Sequence, residues 1–359
     1  MTLGRLRILG CRKRPWSLES IFVNVAAPLE TSVHSRSLRG WVKVASDLVK
    51  ARLTLMVVLT TWMGFSLGSP ESSDWMSCVH AIIGTSLLAA GASALNQWWE
   101  SDLDARMRRT ASRPIPAGIL TPLTVLAFGV AISIVGLAWL VFAVNLLTAF
   151  LGALTLATYV FLYTPLKQTT ELNTWVGAIP GALPPLMGWT AATGQLGAGG
   201  WSLFAILFFW QLPHFMAIAW LYRDEYAQAG FRMLSGRDPD GRRSASSAIR
   251  NTIALIFVSI VPFLQGISGR IYLSVALVLG GLFLIQSIRF ALLLNVMAAR
   301  RLFFASIFYL PIILAVLVMD RTKEVSSRSS LLRGSSTISV PRPGVFVFNR
   351  WFRLPGDGA

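Results

Sequence analysis

Apolar runs of bilayer-spanning length recur along this chain, and no other feature restricts its fold so severely. In hydrocarbon the backbone has no water to bond, so runs of about 17–25 apolar residues must satisfy their polar groups inside helices. The runs lie near residues 53 to 68, 77 to 97, 121 to 141, 143 to 163, 173 to 191, 201 to 221, 252 to 268, 271 to 288 and 302 to 319. They predict a polytopic membrane protein of about nine helices. The first run is short, and its helix is expected to start near Trp41 as an interfacial segment that bends into the bilayer. Composition excludes the soluble alternative: 54% of the residues are hydrophobic and 13% charged, against roughly 25% charged in soluble domains.

A net charge of +16 raises the question of nucleic acid. The basic residues, however, lie between the apolar runs and in both tails, where anionic lipid accounts for them, so no nucleic-acid partner is expected. The two cysteines, Cys11 and Cys78, are far apart and form no CxxC, so neither a disulfide framework nor a thiolate metal site is indicated.

The same charges report orientation. With the N-terminus inside, the inner connections carry Arg106, Arg108, Arg109, Arg113, Lys167, Arg223, Arg232, Arg237, Arg242, Arg243, Arg250, Arg289, Arg300 and Arg301. The outer connections carry Arg270 alone. Short inner loops should hold the Lys and Arg, so this asymmetry supports both the count and the orientation. The basic residues after Met319 run against it, but a terminal tail is a weak determinant. Residues 1 to 40 read as a basic disordered extension or a targeting segment, 41 to 320 as the membrane domain, and 321 to 359 as a flexible basic tail.

The second run ends in charge. Asn96, Glu100 and Asp104 are spaced i, i+4 and i+8, so on a helix they share one face. Carboxylates so placed repel one another, and a hard divalent cation removes that conflict; magnesium takes one or two carboxylates and completes its shell with substrate phosphate and water. The alternative is an ordinary charged loop with its acids paired to Arg106, Arg108 and Arg109. A second acidic segment, Arg223, Asp224, Glu225 and Tyr226, follows the sixth run. Four runs separate the two segments, so both fall on one membrane face, as a shared site requires. Arg109, Arg113, Lys167 and Arg223 lie on that face as candidate phosphate contacts. His214, inside a run, is a functional candidate because ionisable groups are costly in lipid, whereas His80 reads as structural. Trp98, Trp189, Phe209 and Trp220 are candidates for facing a developing carbocation.

These segments resemble the UbiA superfamily of intramembrane prenyltransferases and, within it, the protohaem IX farnesyltransferase branch, the haem O synthases. The likeness is carried by Asn96 to Asp104, by MRRTASRPIP from Met107 to Pro116, and by YTPLK from Tyr163 to Lys167. It continues through Asn173 to Trp189, LPHF around His214, and Tyr222 to Gly230. It runs from about Lys50 to Met319. The resemblance implies an all-α bundle of about nine transmembrane helices around a central cavity. It further implies magnesium-dependent transfer of a farnesyl group from farnesyl diphosphate to a vinyl carbon of haem b, with loss of diphosphate. On this sequence Asn96, Glu100 and Asp104 would hold one magnesium, and Asp224 and Glu225 a second. Lys167 would act with them in catalysis, while Arg109, Arg113, Tyr163, His214, Arg223 and Tyr226 would contact the substrates. Glu225 stands where the branch commonly has Asp. A bacterial plasma membrane or a mitochondrial inner membrane is the expected location, with haem-copper oxidase assembly proteins as partners. Prenylation of an aromatic quinone precursor shares the metal site and differs at the acceptor, where His214 favours haem. A transporter would place its acids at the midplane.

Overall fold

The computed structural model describes residues 38–69 and 75–322. Among them the regular structure is helical, joined by turns and loops, with one isolated bridge between Ser268 and Arg321. The elements are α1 (Leu38–Leu48), α2 (Ala51–Gly68), α3 (Trp75–Asp104), α4 (Pro122–Ala143), α5 (Leu146–Thr169) and α6 (Asn173–Thr193). They continue with α7 (Ala198–Leu221), the short α8 (Arg223–Ala229), α9 (Arg242–Leu264), α10 (Arg270–Leu293) and α11 (Val296–Met319). The expected extension and tail fall outside the described residues except at their edges.

Each expected run lies within one of the nine long helices, except for a few residues at the ends of three of them, and eight of those helices are long and apolar enough to cross a membrane. The remaining one is α6. It packs against α2, α3, α5 and α7, and fourteen of its 21 residues are buried. A helix surrounded by protein does not need lipid-facing side chains, so glycine, proline and threonine replace the usual leucines. Its approach to α2 is close: a Cβ on Gly64 would lie 1.9 Å from the Pro185 carbonyl oxygen, and one on Gly188 would lie 1.9 Å from that of Thr61. Small residues at such contacts are how helices gain van der Waals packing where lipid supplies no hydrophobic drive. Pro184 and Pro185 lack N–H groups, so the Pro180 and Gly181 carbonyls lose their helical donors. Both of these residues line an internal cavity, the protected setting such carbonyls require.

Two boundaries differ from expectation in ways that matter. Helix α3 continues past the apolar run to Asp104, so the acidic stripe stays helical. No proline or glycine intervenes before Pro114 to stop it sooner. Helix α1 is separate from α2, with Lys50 between them in the left-handed region at φ 47°. The Gln97 amide donates to the carbonyls of Asp47 (2.9 Å) and Leu48 (2.7 Å), which satisfies the end of α1 and fixes where Lys50 begins.

Helix α5 changes pitch before its end. Thr158–Tyr163 form a π turn, placed just before Pro165, which cannot donate within the α ladder. The Thr164 hydroxyl donates to the Tyr159 carbonyl at 2.9 Å and so occupies an oxygen the wider turn exposes. At the other end of the bundle Asp320 accepts from the Tyr272 amide at 2.7 Å and caps α10, while Arg321 donates to the carbonyls of Ser66 and Ser69. The last helix is thereby tied to the end of α2.

Candidate active site

The three residues of the first acidic segment are almost wholly buried, Asn96 at 0%, Glu100 at 3% and Asp104 at 2% exposure. Each meets one cation. Lys50 donates to Asn96 Oδ1 at 2.6 Å, Lys167 lies 2.9 Å from Glu100 Oε1, and Arg113 lies 2.5 Å from Asp104 Oδ2. The partners are thus Lys167 and Arg113, drawn from α5 and from the loop after α3, instead of Arg106, Arg108 and Arg109. Asn96 Nδ2 in turn donates to the Thr164 hydroxyl at 3.1 Å, joining α3 to α5 behind the π turn.

These side chains line a cavity of about 250 Å³ together with Arg109, Tyr159, Tyr163, Asn173 and Tyr226. Four cationic side chains face two carboxylates there, so the cavity suits a polyanion. Burial, with the positive charges of Arg113 and Lys167, lowers the Lys50 ammonium from its ordinary 10.5 to about 7, against the opposite pull of Glu100 and Asp104. The Lys167 ammonium also lies over the Tyr163 ring, 4.4 Å from its centre.

A second cavity, of about 210 Å³, is lined mainly by apolar groups of α2, α3, α5 and α6, among them Leu53, Leu88, Pro180 and Met187. Tyr159, Tyr163 and Phe215 line both cavities, so a charged chamber and an apolar one adjoin along one aromatic wall. A molecule with an anionic head and a hydrocarbon tail matches that division.

The two acidic segments do meet at one end of the bundle. Arg109 Nη2 donates to the Tyr226 hydroxyl at 3.2 Å, and Met107, Tyr226 and Phe231 pack together. Of the residues expected from the sequence, Asn96, Glu100, Asp104, Arg109, Arg113, Tyr163, Lys167 and Tyr226 are brought to the charged cavity. Arg223, Asp224 and Glu225, just before Tyr226 in the chain, do not line it. The Asp224 side chain is 84% exposed and lies 3.5 Å from Arg223, whose guanidinium covers Trp220. Glu225 has one buried carboxylate oxygen, Oε2, with no hydrogen-bond partner. His214 packs against α11 and lines neither cavity, with its ring 5.1 Å from Trp210 and 5.1 Å from Phe303. His80 rests against Trp139, as a packing histidine would.

The aromatic candidates are reassigned by the structure. Trp98 packs with Leu48, Ala94 and Val125, Trp189 lies against Gly197, Gly199 and Gly200, Phe209 lies against Phe208, and Trp220 lies against Phe290. None lines either cavity, because each sits on a helix face turned toward a neighbour. Tyr159 and Phe215 hold the position instead. Lys50, Tyr159, Asn173 and Phe215 were not singled out in the sequence. Lys50 and Arg52 both precede the first apolar run, and nothing in the sequence tells which of them turns inward.

Among the described residues no three His, Cys, Asp or Glu side chains are close enough to hold a metal by themselves. The donor set still fits magnesium, because two carboxylates and an amide oxygen on one stripe leave positions for phosphate oxygens and water.

Fold and site together define a membrane protein with a charged chamber suited to an anionic headgroup and an apolar chamber suited to a hydrocarbon chain. The chain belongs to the UbiA prenyltransferase family, whose sequence pattern matches residues 57–310. It is a multi-pass membrane protein. It is 48% identical over 284 residues to a protoheme IX farnesyltransferase of Solibacter usitatus, covering 77% of this chain and 97% of that one. It is 38% identical over 275 residues to the mitochondrial protoheme IX farnesyltransferase of Homo sapiens, covering 77% of this chain and 61% of that one. Among solved structures, a UbiA homolog from Archaeoglobus fulgidus bound to GPP and Mg2+ superposes with a TM-score of 0.55 at 14% identity, covering 76% of this chain and 99% of that one. A digeranylgeranylglyceryl phosphate synthase gives 0.67 at 15% identity, over 78% and 98%. These structural likenesses establish the fold.

Proposed function

We propose that the chain transfers a farnesyl group from farnesyl diphosphate to a vinyl carbon of protohaem IX, releasing diphosphate. The observation that carries this reading is the aromatic wall of Tyr159, Tyr163 and Phe215 between the charged and apolar chambers. The names of relatives at 38% and 48% identity, protoheme IX farnesyltransferases, support a farnesyl donor and protohaem as acceptor.

The chain's residues divide the work. Lys50, Arg109, Arg113 and Lys167 bind the diphosphate, and a bidentate guanidinium suits its oxygens. With Lys50, Lys167 and Arg113 engaged by phosphate, Asn96, Glu100 and Asp104 would be free to hold magnesium. Bound magnesium neutralises charge that develops on the departing diphosphate. Tyr159, Tyr163 and Phe215 present ring faces where the allylic carbon emerges from the charged chamber, which favours positive charge there. The apolar chamber keeps competing water from the chain. Asp224 and Glu225 are assigned to a second magnesium, supported by the unpartnered Glu225 oxygen. Delivery of the product to haem-copper oxidase assembly proteins belongs to the same proposal.

The test is incubation of purified protein with haem b, farnesyl diphosphate and magnesium, with detection of farnesylated haem by mass. Glu100→Gln and Asp104→Asn should each slow turnover roughly 10²-fold or more. Unchanged rates in both would remove the metal assignment, and unchanged magnesium dependence in Asp224→Asn and Glu225→Gln would remove the second ion. Prenylation of an aromatic acid in place of haem would move the chain to the quinone-precursor reading.

A further inference from the structure

Ser306 lies on α11, in no cavity described above, yet its hydroxyl makes two short contacts. It is 2.6 Å from the Phe303 carbonyl oxygen and 2.7 Å from His214 Nδ1. A serine hydroxyl has one hydrogen to give. The Phe303 carbonyl can only accept, so a 2.6 Å contact with it requires that hydrogen. The contact with Nδ1 must then be made by the imidazole's own hydrogen, donated to a serine lone pair. His214 is therefore the tautomer protonated at Nδ1, and its Nε2 carries a bare lone pair. Among the described residues Nε2 has no hydrogen-bond partner, and His214 is half-buried.

We propose that Ser306 is a positioning residue that holds His214 ready to ligate the iron of a metalloporphyrin through Nε2, at the seam where α7 meets α11. The inference rests on the reading of haem as acceptor and adds how the acceptor is gripped. A ligating imidazole commonly donates its other nitrogen to a fixed acceptor, which sets the tautomer and the ring's orientation. Here the ring is also fixed on both faces. Trp210 lies nearly parallel at 19° and Phe303 at 26°, so the Nε2 edge points along one direction between two aromatic plates. The Trp210 indole donates to the Ser306 carbonyl at 2.8 Å, locking the two helices at this level.

Location agrees with the task. His214 precedes the end of α7 at Leu221 by about 10 Å of helix rise, a depth at which a porphyrin's acidic edge reaches the headgroups while its body lies in hydrocarbon. The next residue, Phe215, belongs to the wall between the two chambers. One turn of α7 thus carries the proposed iron ligand on one face and the reacting site's wall on the next.

The experiment titrates ferric haem b into the full chain in lipid nanodiscs without farnesyl diphosphate, following the Soret band and the electron paramagnetic resonance of the iron. Metal-free protoporphyrin IX is titrated in parallel. Ser306→Ala should weaken haem binding about 10–100-fold, the usual effect of removing a partner behind a ligating histidine. His214→Ala should abolish the nitrogen-ligated spectrum, and Ser306→Thr, which keeps the hydroxyl, should restore it. Metal-free porphyrin should bind the wild type and Ser306→Ala alike. A wild-type spectrum and affinity in Ser306→Ala, or in His214→Ala, would overturn the proposal, as would equal losses for metal-free porphyrin. Turnover of the wild type is measured separately. If it farnesylates haem while the spectra ignore His214, only this inference falls; if it makes no farnesylated haem, the acceptor reading falls, whatever the spectra show.

Discussion

Glu100 and Lys167 show how tightly the charged chamber is balanced. The carboxylate is 3% exposed and its partner's side chain 12%, so neither can turn to water when the other is removed. Breaking a buried pair from one side costs more than deleting both members, because a stranded charge remains. Lys167→Met should therefore lower stability by about 3–5 kcal/mol, seen as a fall in the thermal unfolding midpoint. The double variant Lys167→Met with Glu100→Leu should recover most of that loss while staying inactive. If the single and double variants unfold alike, the pair is not the source of the effect. The stripe of Asn96, Glu100 and Asp104 was legible in the sequence because helical spacing alone aligns it. Their partners were not, since nothing in one dimension shows that Lys50 reaches Asn96 across 46 positions.

At the scale of elements, the long apolar runs located the membrane helices, because lipid imposes length and hydropathy on any helix that faces it. Helix ends were less visible. Helix α9 starts at Arg242, well ahead of its apolar stretch, since the serines and alanines there form helix without declaring it by hydropathy. The π turn of α5 also left no periodic trace, although Pro165 marked where the ladder must break. Helix α6 depends on backbone proximity: a methyl at Gly64 would lie 1.9 Å from the Pro185 oxygen, and a backbone atom has no rotamer by which to move aside. Gly64→Ala should separate α2 from α6 and lower the unfolding midpoint and the yield of folded protein. Gly236→Ala, with open space around it, should change neither.

For the whole molecule, the decisive property is that one aromatic wall bounds both chambers. Thr155 lines the apolar one, so Thr155→Phe should obstruct its depth without touching the charged residues. Use of farnesyl diphosphate should fall while a shorter donor such as dimethylallyl diphosphate is retained, measured by competition between the two; equal losses would mean that this chamber does not hold the chain. The bundle and its charged end could be read from the sequence because they follow from hydropathy and charge, whereas the chambers depend on which helix faces meet. The apolar chamber lies among helices that are themselves bathed in hydrocarbon, and a farnesyl chain and a porphyrin both dissolve in that phase. Encounter is then two-dimensional: saturation should follow the mole fraction of each reactant in the bilayer, so diluting the vesicles with buffer should leave the rate per protein unchanged while diluting with inert lipid should lower it.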